Sequence, residues 1–191
     1  MKDYEAKIAS IAKILDGRII HDEERVQVCI KGIVLRFPAT LEAVRVSYPF
    51  GVTYSLETNI NQSRRASSNT IPLRIVLTPR LARGLFSIVA RLLLLEGTGQ
   101  KLDIPQIDTT FVCTCNLIDE AKQFMRRPDV QEKLLELAKY SQFTELLIRA
   151  DAGLCLTQPT SFNTLDLEVC RETFRLLAEI GQIMREAFAL L

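Results

Sequence analysis

The chain has 191 residues, with 24 Lys+Arg against 23 Asp+Glu and a formal charge of +1. That balance argues against a uniformly basic nucleic-acid coat and against an acidic solvating tail. Hydrophobic residues make up 48% and mean hydropathy is +0.12, too apolar for a disordered chain.

The length suits one domain over residues 1–191, with a subdomain boundary to be considered at 96–107. A chain this size buries roughly 70% of its unfolded surface, so neither a disulfide nor a structural metal is required. The start, MKDYEAKIASIAKILDG, carries charges throughout and lacks the apolar run of a secretory signal. Apolar runs such as Leu92–Leu95 fall far short of the ~20 residues that span a bilayer. A cytoplasmic location, with its five cysteines reduced, is the simplest expectation.

In chain order, Tyr4, Ile8, Ile11 and Leu15 fall on one face of a helix predicted over Lys2–Leu15, stopped at Gly17. Alternating runs follow at Arg25–Ile30, Ile33–Phe37, Ala43–Tyr48 and Val52–Thr58. The turn signals between them are Lys31-Gly32, Pro38 and Pro49-Phe-Gly51. They predict an antiparallel meander with one wet face. Residues 59–70 read as a polar loop. A strand is predicted at Leu73–Leu77, and Thr78-Pro79 carries the signature of a helix start.

In the second half a strand is predicted at Thr109–Cys115. Asn116 and Asp119 resemble a helix cap, with helices on either side of Pro128. Phe143–Arg149 and Leu154–Thr157 flank Asp151-Ala-Gly153 as a hairpin. The longest helix is predicted over Leu165–Leu190. Its Leu177, Ile180 and Met184 form either a core face or a dimerising seam. The fold class is therefore α+β: an antiparallel sheet, meander plus hairpin, covered by helices with the long C-terminal helix across it.

Asp108-Thr-Thr-Phe-Val, a helix of the type EAKQFM, then ELLIRADAGLCL and a long terminal helix form a pattern of their own. This second half resembles an uncharacterised bacterial α+β domain family of unknown function. The resemblance covers less than half the chain. It implies an α+β fold without known chemistry and transfers no functional residue.

Split by half, the charge looks different. Residues 1–95 hold 14 basic and 8 acidic residues, whereas 96–191 hold 10 and 15. Between Glu57 and Glu96 there is no Asp, Glu, Lys or His, only Arg64, Arg65, Arg74, Arg80, Arg83 and Arg91. Guanidinium groups bind carboxylate or phosphate through two parallel hydrogen bonds, where lysine acts as a point charge. On a helix opened by Thr78-Pro79, Arg80, Arg83 and Arg91 share a stripe about 100° wide beside an otherwise apolar surface. The N–H groups at the helix start would add to anion binding. Arg64 and Arg65 would sit on the loop above, and Arg64-Arg-Ala-Ser67 also fits a basophilic kinase acceptor pattern.

These residues predict an interaction or anion-recognising module, with an acidic protein or a second copy of the chain as the favoured partner. A phosphate-bearing ligand comes next. Nucleic acid is disfavoured because Phe86, the block's one aromatic, lies on the apolar face and offers no stacking platform. The competing expectations are an enzyme with an acidic site at Asp103, Asp108 and Asp119 or a thiol at Cys29, and a dimer scaffold through the C-terminal helix. No nucleotide or hydrolase motif is present, so no cofactor is expected. His21, the one histidine, reads as part of a solvated turn with Asp22. Cys113 and Cys115 read as core residues sharing a face with Phe111, not metal ligands.

Overall fold

A computed structural model describes residues 2–22, 26–44, 51–58, 71–80 and 99–189. Helix α1 (Lys2–Ile14) buries Ile8, Ile11 and Leu15, as its spacing predicts. It stops where Asp16 turns left-handed (φ 45°) ahead of Gly17. The end of α1 then docks on the sheet, where the Leu15 carbonyl accepts a hydrogen bond from the Ile33 N–H at 2.6 Å. Gly32 makes this approach feasible: a Cβ there would lie 2.2 Å from the Leu15 oxygen.

Among the described residues eight strands form one open antiparallel sheet: β1 (Arg18–Asp22), β2 (Val26–Val34), β3 (Phe37–Val44), β4 (Gly51–Glu57), β5 (Arg74–Pro79), β6 (Phe111–Cys115), β7 (Glu145–Arg149) and β8 (Gly153–Gln158). Their order is β1-β2-β3-β4-β8-β7-β5-β6. The meander is present, but not with the predicted bounds. The runs at Arg25–Ile30 and Ile33–Phe37 merge into β2, and the run at Ala43–Tyr48 meets β3 only at its end. Val52–Thr58 matches β4, and β1 has no predicted counterpart. The predicted β7–β8 hairpin inserts between β4 and β5. One continuous ladder thus takes strands from both sides of residues 96–107.

Side-chain alternation sorts the sheet into two faces. A cross-strand row of Ile30, Leu41, Tyr54, Leu156, Leu146, Leu77 and Cys113 is buried beneath the helices. The neighbouring row on the opposite face runs Lys31, Thr40, Ser55, Cys155, Leu147, Val76 and Thr114, all half-buried or exposed. The covering layer consists of α1, α2 (Pro105–Thr110), α3 (Ile118–Met125), α4 (Pro128–Tyr140) and α5 (Leu167–Ala189). Phe174 of α5 meets Tyr54 edge-on, with ring centroids 5.1 Å apart. Leu177, Ile180 and Met184 are fully buried in this layer. Of the two expectations for this face the core one holds: it packs on the chain's own core.

Four local expectations also change. Lys31-Gly32 is no turn but lies within β2, because α1 docks there and Lys31 pairs with Thr40. The turn falls at Leu35-Arg36, whose φ values of 46° and 74° are those of a two-residue type I′ hairpin loop. Neither residue is suited to that region, so this turn stores strain. Replacing Leu35→Asn together with Arg36→Gly should raise stability by about 1 kcal/mol, checked by urea unfolding.

Thr78-Pro79 does not open a helix. Both residues continue β5, with Pro79 opposite Phe111 at the strand's end, where a missing N–H is tolerated. Asn116 does not cap α3. Its Oδ1 accepts from the Arg74 N–H at 2.8 Å and its Nδ2 donates to the Pro72 carbonyl at 2.8 Å, tying down the start of β5. His21 belongs to β1 and not to a turn.

Candidate functional site

Of the five arginines expected to form the recognition edge, the structure describes Arg80; Arg64, Arg65, Arg83 and Arg91 lie outside the described residues, as does Ser67. Arg80 follows β5 directly and is exposed. Its backbone N–H donates to the Thr110 carbonyl at 2.9 Å, and its Nε donates to the Asp108 carbonyl at 2.8 Å. The guanidinium is thus oriented by a neutral carbonyl and not by a carboxylate. Pro79 is a strand residue and not the first residue of a helix; the rest of the predicted helix, residues 81–95, lies outside the described residues.

A second arginine grouping comes from strand pairing. Arg74 of β5 stands directly opposite Arg149 of β7 on the open face. Arg149 grips Asp151 through both Nε (3.1 Å) and Nη2 (2.8 Å). The Arg74 side chain is exposed and has no charged partner among the described residues. Like charges directly opposite in a ladder are destabilising when unpartnered. The sequence signals Arg74 as part of the arginine block, but only the non-local β5–β7 register sets Arg149 beside it.

The rival acidic site does not assemble. The Asp108 carboxylate accepts from the backbone N–H groups of Leu102 (3.1 Å) and Ile104 (3.0 Å), so it fastens the loop before α2. Asp103 pairs with Lys122 at 2.5 Å, and that hydrogen bond holds its carboxyl below the usual range. Asp119 lies in the first turn of α3, where a carboxylate stabilises the helix. Among the described residues no three His, Cys, Asp or Glu side chains form a group able to hold a metal.

The thiol expectation is corrected too. Cys29 is buried, not exposed, between its register neighbours Ile20 and Glu42. The half-buried thiol is Cys155, on the open face 3.7 Å from the Ser55 Oγ, and burial raises its pKa. Cys113 is pushed up to about 12 by burial, with Cys115 adding to the shift. Thiols held protonated in this way are poor nucleophiles. Cys113 and Cys115 share the buried face with Phe111, as expected.

Comparison with family models, with curated proteins and with solved structures finds no match to this chain. The site must therefore be read from its own residues. A groove between α2 and α4 is lined by Gln106, Gln131, Leu135 and Lys139, with Glu132, Lys133 and Glu136. Its charged residues Lys133 and Glu136 are bound to each other at 3.3 Å and to Glu179 and Arg175 of α5, at 3.1 and 2.8 Å. That network ties α4 to α5 and engages Lys133 and Glu136 in structural ion pairs. No described helix is long and apolar enough to cross a membrane.

Proposed function

We propose that the protein is a non-catalytic interaction module that recognises anionic groups. An acidic protein surface or a second copy of the chain is the favoured partner, and a phosphate-bearing ligand the alternative. The observation that carries this reading is the acid-free run from Glu57 to Glu96, whose six charged residues are all arginine. Two features support it. Arg80 projects at the end of β5 with its Nε held by a carbonyl, so its remaining donors have no carboxylate among the described residues. Arg74 stands at the other end of the same strand, also without an acidic partner among the described residues. In this reading Arg80, Arg83 and Arg91 capture carboxylate or phosphate in a bidentate manner, with Arg64 and Arg65 contributing from the preceding segment.

The test is the double substitution Arg80→Ala/Arg83→Ala, assayed against polyglutamate and against inorganic phosphate at low salt. Charge-assisted hydrogen bonds are worth about 1.5–3 kcal/mol each, so polyglutamate binding should weaken at least ~10-fold. The unfolding midpoint should barely move. Tighter binding of phosphate than of polyglutamate would favour the alternative ligand. Loss of stability with unchanged binding would assign these arginines to internal pairing and reject the reading.

A further inference from the structure

One end of the sheet carries exposed apolar groups in two places. The β2–β3 turn, the end of β4, the β7–β8 turn and the start of β5 all lie there. Val34 pairs with Phe37, Ala39 with Leu56, Glu57 with Gly153 and Arg74 with Arg149. Five large apolar side chains are exposed among the described residues, and three of them stand at this end: Ile33 (57%), Leu35 (61%) and Ile71 (70%). They form two projections. Leu35 occupies the β2–β3 turn, with Ile33 behind it on the open face, opposite exposed Pro38. Ile71 leads into β5, followed by exposed Pro72. β3 and β5 are four strand intervals apart, so the projections stand roughly 19 Å from one another. The other two exposed side chains lie elsewhere. Ile19 belongs to β1, and Tyr140 precedes Ser141, which bonds Gln158 at the opposite end of β8.

The first projection is built against local preference. Leu35 and Arg36 hold φ angles of 46° and 74°, which Asn-Gly would adopt without strain. From its exposed position Leu35 adds nothing to the core, so the fold itself does not require it there. An exposed apolar side chain held on a strained turn points to a contact outside the chain.

Size and spacing select the occupant. A stable protein interface takes about 20–30 residues a side, whereas each projection offers one or two apolar side chains. Charge does not choose a partner: Arg36, Arg74, Lys31 and its cross-strand neighbour Arg18 are exposed at this end, and so are Asp16 and Glu57. A bilayer needs neither a large complementary surface nor fixed charge pairs. Its hold on a protein scales with the apolar area inserted, and cations just behind that area keep their heads among the lipid headgroups.

We propose that this end of the sheet docks on a lipid bilayer. Leu35 and Ile33 insert from the β2–β3 turn and Ile71 from the start of β5, while Lys31 and Arg36 lie at headgroup level. Arg80 leaves β5 at its opposite end, so the proposal stands apart from anion recognition there.

The chain contains no tryptophan, so Leu35→Trp and Ile71→Trp each supply a single reporter of insertion. With vesicles of phosphatidylcholine and phosphatidylserine, both emissions should shift to the blue and be quenched by brominated acyl chains. Tyr140→Trp, at the opposite end, should do neither. In vesicle sedimentation Leu35→Asn/Arg36→Gly should weaken partitioning at least ~10-fold although it stabilises the fold, which separates lost insertion from lost structure. Ile71→Ser should weaken it with an unchanged unfolding midpoint, and Arg80→Ala should partition as the unsubstituted chain does. Failure of the full chain to bind these vesicles would overturn the proposal, as would unquenched emission from either reporter. Complete release by high salt would leave headgroup charge alone as the cause and overturn it too. A mass of twice 21.6 kDa that Leu35→Asn/Arg36→Gly halves would place a second copy on this end and overturn it equally.

Discussion

Replacing Gly153→Ala should cost at least ~4 kcal/mol and lower the unfolding midpoint by about 10 °C or more, measured by thermal or urea unfolding. Gly153 has φ 132°, outside the range of residues with a side chain. An added Cβ would lie 1.9 Å from the Leu56 carbonyl oxygen and 3.0 Å from the Glu57 Cα. Neither contact is a side-chain end that could swing aside; both are backbone of β4. Gly153 begins β8, pairing with Glu57 on one side and Arg149 on the other. β8 is the strand that joins the meander to the rest of the sheet, so a shift at its start separates two halves of one ladder. Gly51, at the far end of β4, is the control. Its Cβ would come to 3.4 Å from the Gln158 carbonyl, close to ordinary contact, and Gly51→Ala should cost no more than ~1 kcal/mol. Unfolding of the Gly153 variant within a degree of the parent chain would refute the described strand start.

The elements legible in the sequence are those whose signals are local. α1 follows from Ile8, Ile11 and Leu15 at helical spacing, α4 from Pro128 at its first turn, and the β7–β8 hairpin from Asp151-Ala-Gly153 between apolar runs. The misreadings share a cause. Lys31-Gly32 has turn chemistry, but the glycine serves the approach of α1, while the actual turn at Leu35-Arg36 has no turn chemistry at all. Thr78-Pro79 has the chemistry of a helix start, yet pairing with Phe111 and Val112 extends β5 through both residues. In each case a contact from far along the chain outweighs a preference among neighbours.

The candidate sites follow the same division. An acid-free arginine block is visible by counting. Its relation to Arg149, and the meeting of Arg18 with Lys31, depend on strand register that no local pattern encodes. Cys29 shows the reverse error: alternation correctly sets it on the face of Lys31, yet it is buried there. The open face is thus uneven in exposure, with Cys29 buried and Lys31 and Thr114 exposed.

Tyr54→Ala should be the costliest side-chain truncation, at about 4–6 kcal/mol. The ring is fully buried in the centre of the sheet and meets Phe174 of α5 edge-on. Its hydroxyl donates to the Gln158 Oε1 at 2.6 Å, and the Gln158 Nε2 donates to the Ser141 Oγ at 2.8 Å. This buried relay ties β4 to β8 and to the end of α4. Burial drives the Tyr54 pKa above its ordinary range, so the phenol remains a proton donor. Truncation to alanine opens a cavity and leaves the Gln158 oxygen without its donor. Tyr54→Phe keeps the ring and removes only the donor, which should cost about 1–3 kcal/mol. Adding Gln158→Leu to Tyr54→Phe should cost less than the two single changes summed, because one substitution removes the partner that the other orphans. Additive costs in urea unfolding would show that the relay does not act as a unit. A coupling of about 1–2 kcal/mol would show that the buried face is held by directed bonds as well as by packing.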